Sequence, residues 1–268
     1  MNQASLAPTV IYLSHGGGPL PLLGDEGHIE MVEQLKELAV IAGPPSAIIV
    51  ISAHWEEQNP TIISAKNPPL LYDYYGFPEE AYSISYPAPG EPLLAAEIAS
   101  LLTRKGYPAL LDEKRGFDHG LFIPLKIMYP AADIPCVQVS LLKSLDAALH
   151  IQLGETLAGL AVPNLLIIGS GFSFHNMQAF FSPASGESRR MNEAFDAWLV
   201  ETCYAADIDE TERRRRLESW QKAPYARYCH PREEHLLPLH VCYGVAGRAC
   251  SRVFGMDIMA KKASAFMW

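Results

Sequence analysis

Four short apolar runs rich in β-branched residues recur along the chain, separated by segments of helix length or longer. They are VIYLS (Val10 to Ser14), AIIVISA (Ala47 to Ala53), CVQVSL (Cys136 to Leu141) and LLIIGS (Leu165 to Ser170). Runs this apolar lack the alternation of a half-exposed strand and read as strands buried on both faces. Such strands need helices to cover them, and the intervening segments supply the pattern. Glu26 to Ala42 puts Met31, Val32, Leu35, Leu38 and Ala39 on one stripe, and Pro92 to Lys105 opens with proline in the first turn, where its missing N–H is not needed. Leu145 to Leu160 carries Leu149, Leu153, Leu157 and Leu160, and Arg189 to Ala206 carries Met191, Phe195, Trp198 and Leu199. Strands joined through helices return parallel. The pattern therefore predicts an α/β fold with a central, mostly parallel sheet flanked by helices on both faces. No repeat or linker-like shift in composition interrupts it, and 268 residues suit one domain spanning 1–268.

One stretch departs from regular structure. NPPLLYDYYGFPEEAYSISYPAPGEP, from Asn67 to Pro92, is dense in proline, glycine and tyrosine and too long for an idle connection. It reads either as cover for a site or as an ordered loop with no ligand.

Charge removes several functions. A net charge of −9 argues against nucleic acid as a partner. The one basic run, Arg213 to Arg216, follows Asp209, Glu210 and Glu212, so helical i,i+3 and i,i+4 pairs absorb it on a solvated face. No apolar run reaches membrane-spanning length, and the N-terminus shows no signal-peptide pattern. Five cysteines without a CxxC pair suit a reducing compartment, so a cytoplasmic location is expected. Oligomeric state is not legible.

The histidines carry the chemistry. VIYLS runs into His15 and three glycines, AIIVISA into His54, and LLIIGS through GFSF into His175. In an open parallel sheet the carboxyl ends of strands line the crevice where ligands bind. Three histidines there make a sheet-edge metal site a sharper reading than three separate structural residues. His119, in RGFDHGLF, sits in a glycine-bounded turn before a predicted helix. In ARYCHPREEHLLPLH, His230, His235 and His240 recur every five residues, about 140° apart on a helix. One helix cannot aim all three at one ion. His235 is the one that would close the site, on a helix with Pro231 in its first turn that Pro238 bends or restarts. His28, His150 and His240 fall in helical patterns and read as structural; His230 stays open. The glycine run after His15 lacks G-x-G-x-x-G and a P-loop lysine, and GSGFS is not G-x-S-x-G, so phosphate cradles and serine hydrolases are disfavoured.

LSHGGGP, VISAHW, YYGFP with YPAPG, GFDHG, SGFSFHN and HPREEHLLPL, in this order, resemble class III extradiol ring-cleavage dioxygenases. The nearest branch is the DOPA 4,5-dioxygenase-like one, related to the protocatechuate 4,5-dioxygenase catalytic subunit. Two departures stand out: HGGGP replaces the HGSP of many relatives, and His235, with Glu234 beside it, stands where the protocatechuate enzymes have a glutamate ligand. The resemblance implies a single α/β domain in which His15, His54 and His235 ligate a metal. It implies His175 as catalytic base, or fourth ligand when zinc is bound, and His119 as the residue that binds or protonates oxygen-derived species. The cofactor implied is Fe(II) for activity, with Zn(II) able to occupy the site in purified protein. Substrates would be a DOPA-like or related catechol and O2, and the product a muconic semialdehyde. Tyr74, Tyr75 and Tyr82 are candidates to enclose the ring. An imidazole titrating near neutrality is a suitable base for a catechol hydroxyl, and few protein ligands leave open positions for catecholate and O2. The rival reading is a zinc-dependent hydrolase on the same histidines. A third is a binding protein that kept the fold.

Overall fold

The computed structural model describes residues 7–182 and 185–268. In chain order the elements are β1 (Thr9–Ser14), α1 (Ile29–Ala42), β2 (Ala47–Glu57), β3 (Thr61–Ile63), α2 (Pro92–Arg104), β4 (Leu110–Asp112), α3 (His119–Met128), β5 (Cys136–Leu142), α4 (Ala147–Leu157) and β6 (Leu165–Gly171). There follow α5 (Met177–Phe180), α6 (Gly186–Tyr204), α7 (Glu210–Glu218), α8 (Ala226–Cys229), α9 (Leu237–Ala246), β7 (Arg252–Ile258) and β8 (Lys261–Met267). All eight strands form one sheet in the order β4-β3-β5-β2-β6-β1-β8-β7, a single α/β domain.

The four apolar runs form the middle of this sheet, and β5, β2, β6 and β1 all run parallel. Their residues are buried almost throughout, as strands covered on both faces require. The flanks differ from that expectation. β3 is antiparallel to β5, β8 is antiparallel to β1, and β7 pairs with β8 as a hairpin. These outer strands escape sequence reading for a physical reason. β3 and β4 are three residues each, and β7 alternates buried and exposed positions with a glycine in the middle.

Alternate residues of β6 show how both faces are covered. The Ser170 hydroxyl donates to the carbonyl of Gly120 in α3 on one face. On the other, a side chain at Gly169 would strike the Pro238 carbonyl and Cys242 of α9, and one at Gly171 would strike the carbonyl of His235. Glycine at these two strand positions lets the 235–238 segment lie directly on the sheet. That carbonyl of His235 accepts from Phe172 N (3.1 Å) and from the buried Tyr12 hydroxyl (2.9 Å).

Three local expectations are corrected. No helix starts at Pro231: residues 231–236 form turns and α9 begins at Leu237, because proline at position 238 fits the first turn of a helix and breaks the interior of one. β2 does not end before His54 but continues to Glu57 through an irregularity between Ile51 and Glu56. Of the basic run in α7, all four arginines pair with glutamates as expected, but Arg213 does so from a buried position and not on a solvated face. Its guanidinium donates to the carbonyls of Thr202, Ala205 and Ile208, closing the C-terminal end of α6. Among the described residues no helix is long and apolar enough to cross a membrane, and the five cysteines are buried free thiols.

Candidate active site

His15, His54, His119, His175 and His235 line one cavity at the carboxyl ends of the central strands. Each is placed by a different device. His15 follows β1 directly, its N–H donating to the Gly171 carbonyl at 3.1 Å. His54 stands in the irregular stretch of β2, the kind of bulge that re-aims a side chain beside a site. His119 is the first residue of α3. Here Gly120 lets the helix start approach β2 closely, since a side chain there would meet the Ser52 hydroxyl and the His54 ring. His175 lies four residues past β6, held by its N–H to the Cys229 carbonyl (2.9 Å).

The rings of His15, His54 and His235 form a nearly equilateral triangle. Their centroids lie 4.7 Å (15–54), 4.9 Å (54–235) and 5.2 Å (15–235) apart. His119 is closer to His54 (3.9 Å), and His175 stacks on His235 at 3.4 Å with 15° between planes. Ligand-competent atoms of His15, His54 and His119 lie within 4.8 Å of one another, as do those of His175, Glu234 and His235.

What lies behind the rings decides which nitrogen faces the cavity. Ser170 spends its proton on Gly120, so it accepts from His15 Nδ1 (2.9 Å) and leaves Nε2 of His15 as a bare lone pair. Asp73 Oδ1 accepts from both Nδ1 (2.7 Å) and the backbone N–H (3.1 Å) of His119, and its Oδ2 lies 3.8 Å from His54 Nδ1. Glu234 Oε1 accepts from Nδ1 of both His175 and His235, each at 3.0 Å. Arg232 holds Glu234 Oε2 (3.3 Å) and pairs twice with Glu56 (2.6 Å each). Two carboxylates thus each serve two imidazoles. The sequence reading misses Asp73 and Ser170 as site residues and knows Glu234 only as a neighbour of His235. The one available signal was that Asp73 lies in the unusual tyrosine-rich loop.

Burial sets the protonation. His15 and His54 are pushed well below the usual histidine range, by burial first and then by the neighbouring imidazoles. This holds for His54 although 23% of its side chain is exposed. His235 is pushed down to about 3, by burial and then by His175. Burial works to raise Asp73 and Glu234, but hydrogen bonds from their imidazoles outweigh it and keep both below the usual carboxylate range. His15, His54 and His235 are therefore neutral imidazoles, and the carboxylates of Asp73 and Glu234 beside them are ionised.

The cavity measures about 490 Å³. Tyr74, 8% exposed, lines it and fixes its own hydroxyl on the Ala81 carbonyl (2.6 Å). Tyr75 lines the rim, 91% exposed, whereas Tyr82 stands outside the lining and packs on Tyr74. The loop that carries them is ordered, bridging to Phe117 and Cys136. His230 and His240 lie outside the cavity, bonded to the carbonyls of Ser173 and of Leu217.

Neutral histidines steadied from behind by carboxylates are how a metalloenzyme orients its ligands, and the apolar space in front admits a small organic molecule. The site is thus built as a candidate metal centre, and sequence comparison gives its class. The chain belongs to the family described as the catalytic LigB subunit of aromatic ring-opening dioxygenase, whose model matches residues 8–266. It is 42% identical over 258 residues to Dioxygenase tasH of Hapsidospora irregularis, covering 91% of this chain and 79% of that one. To a 4,5-DOPA dioxygenase extradiol of Beta vulgaris it is 37% identical, covering 88% and 86%. The fold matches the crystal structure of an uncharacterized protein, JW3007, from Escherichia coli K12, with a TM-score of 0.73 at 28% identity over 97% of this chain and 98% of that one. The reaction is extradiol: the enzyme opens a catechol ring.

Proposed function

We propose that His15, His54 and His235 hold the metal of this extradiol dioxygenase, Fe(II) in the active enzyme, and that the substrate is a catechol related to DOPA. The observation that carries this is the facing nitrogen pair: Nε2 of His15, bare of hydrogen, faces Nε2 of His54 at 3.0 Å. With the His15 proton committed to Ser170, a proton or a cation has to lie between the two nitrogens. The near-equilateral triangle with His235 suits three imidazoles radiating from one ion at ~2.1 Å. His119 stands too close to His54 for that arrangement, and His175, parallel to His235, aims alongside it and not toward a shared point. Neutral imidazole ligands fit both Fe(II) and Zn(II), so Zn(II) would fill the site in protein purified without iron. Fe(II), when bound, brings catecholate and O2 together and lets electrons pass between them.

The side chains supply the protons. His175, with Nδ1–H held by Glu234, has Nε2 free to take the proton of a catechol hydroxyl, and the Glu234 carboxylate stabilises the imidazolium formed. His119, with Nδ1–H held by Asp73, keeps Nε2 open to the cavity, where it would bind or protonate oxygen-derived species. Tyr74 and Tyr75 wall the aromatic ring, and Tyr82 supports Tyr74. Five buried thiols suit a reducing compartment, so the reading includes a cytoplasmic location. Loading the protein anaerobically with Fe(II) or Zn(II), adding a panel of catechols and then O2, tests it. Oxygen uptake with a yellow ring-opened product only in the iron sample is expected. Ester or amide hydrolysis by the zinc sample, with no oxygen uptake by the iron sample, would overturn it.

A further inference from the structure

The same cavity that holds the histidines carries a second kind of information, in the part the ring hydroxyls do not touch. Its walls come from four separate segments. Leu20 follows the glycine run; Tyr74, Tyr75 and Phe77 come from the tyrosine-rich loop. Phe172, Met177, Phe180 and Phe181 follow β6, and Met259 comes from the β7–β8 turn. Among the described residues that line the cavity there is no lysine and no arginine. Its one acidic lining residue, Asp73, is engaged with His119.

Two arginines bonded to site residues are committed elsewhere, and Lys261 sits over the Phe174 ring, outside the lining. Arg232 is held by Glu56 and Glu234, and Arg115 donates to Asp118 and the His54 carbonyl while stacking over Trp55. A carboxylate entering this space would lose water and find no charged partner, an unfavourable exchange. The rim points the same way. Tyr75, Phe181 and Met177 are 91%, 78% and 54% exposed, yet all three face one cavity mouth. Clustered exposed apolar side chains mark the place where an apolar ligand is received. About 490 Å³ lies within the range of small-molecule sites, roughly 300–1,000 Å³, and leaves room beyond one six-membered ring.

Resting on the catechol-cleaving reading above, we infer that the preferred substrate is a catechol bearing an uncharged, apolar substituent, an alkyl or aryl group, and not an amino-acid or carboxylate side chain. The substituent lies against Phe77, Phe180, Phe181 and Met177 while the hydroxyls face the histidines.

The test compares 4-methyl-, 4-ethyl- and 4-propylcatechol with DOPA, 3,4-dihydroxyphenylacetate and dopamine on the iron-loaded enzyme. It reads kcat/KM by oxygen uptake and, independently, Kd by calorimetric titration under nitrogen. Both quantities should improve about threefold to fourfold per methylene, with the carboxylate-bearing compounds about 100-fold worse than 4-propylcatechol. Phe181→Arg should close part of that gap, improving 3,4-dihydroxyphenylacetate about tenfold while weakening 4-propylcatechol. Equal or better performance by DOPA, 3,4-dihydroxyphenylacetate or dopamine, or no trend with chain length, would overturn the inference while leaving ring cleavage intact. Absence of oxygen uptake with every catechol would instead overturn the catalytic reading, and the Kd order would still judge the apolar preference.

Discussion

Nine histidines divide between two regions of this molecule, and all are buried except the half-buried His54 and His175. Five stand around the cavity at the sheet edge; His28, His150, His230 and His240 lie outside its lining. Burial and neutrality do not separate the groups, since burial lowers the titration of His150 to about 4 and that of His240 as it does that of His15. The second nitrogen does. His150 accepts from Leu142 N at Nε2 (3.1 Å) and donates from Nδ1 to the Asp146 carbonyl (2.6 Å). His28 accepts from Gly17 N (3.0 Å) and donates to Asp25 (2.6 Å). His240 is wedged between the carbonyls of Leu236 and Leu217. In His28 and His150 the polypeptide satisfies both ring nitrogens, and in His240 it closes both off from any cavity. At the sheet edge a serine or carboxylate occupies one nitrogen of His15, His119, His175 and His235 and leaves the other to the cavity. His230 is the exception outside the cavity, with Nε2 on the Ser173 carbonyl and Nδ1 buried without a partner, so an unspent nitrogen marks a site histidine here only where it opens onto the cavity.

Substitutions can break that comparison, and the largest effect should come from His15→Ala. It should lose bound metal and at least about 10⁴-fold in activity while the fold survives, because His15 contributes more to the ion than to the core. His150→Ala should do the opposite, keeping metal while losing about 2–4 kcal/mol of stability in denaturant titrations. Metal analysis and unfolding curves on the same two proteins decide it; equal metal loss in both would erase the distinction. Next, His175→Ala should keep iron and lose about 10²–10⁴-fold in turnover, the usual contribution of a general base. Iron lost in step with activity would make His175 a ligand instead.

The third effect is a pH dependence. His150 in the unfolded chain takes a proton near its ordinary value of 6.5, but in the folded protein only near 4. Its contribution is fully present above about 6.5 and is lost as pH falls toward 4, by about 3 kcal/mol over that window. The difference in unfolding free energy between the protein and His150→Gln, followed from pH 7 to 4, should therefore shrink. A constant difference would count against it. The smallest effect sharpens the comparison at the carboxylates. Glu234→Gln should weaken metal affinity or activity about 10–100-fold, with stability little changed, whereas Glu56→Gln, one contact further out, should do less.

The parallel middle of the sheet was legible because strands buried on both faces write their burial as uninterrupted valine, isoleucine and leucine. β7 and β8 were not, since β7 buries only alternate positions and β8, though nearly all buried, opens on two lysines and carries a serine inside the strand. The strand-end histidines were legible for the same reason as their strands. Their partners were not: Asp73 is 46 residues from His119, and Ser170 is 155 from His15, so only the folded chain brings them together. The position of His54 depends on a bulge, and that of His235 on two glycines of another strand; neither leaves a periodic trace near the histidine itself.

The seat that Gly169 and Gly171 make for the 235–238 segment also fixes when the centre can exist. Tyr12 and His235 are 223 residues apart along the chain, and closing so long a loop is a late event in folding. A nascent chain on the ribosome can expose His15, His54 and His119 and still lack the third corner of the triangle. On the proposed ligand set, metal uptake would therefore serve as a completion signal, since a product truncated or clipped before His235 would hold the ion with one ligand fewer.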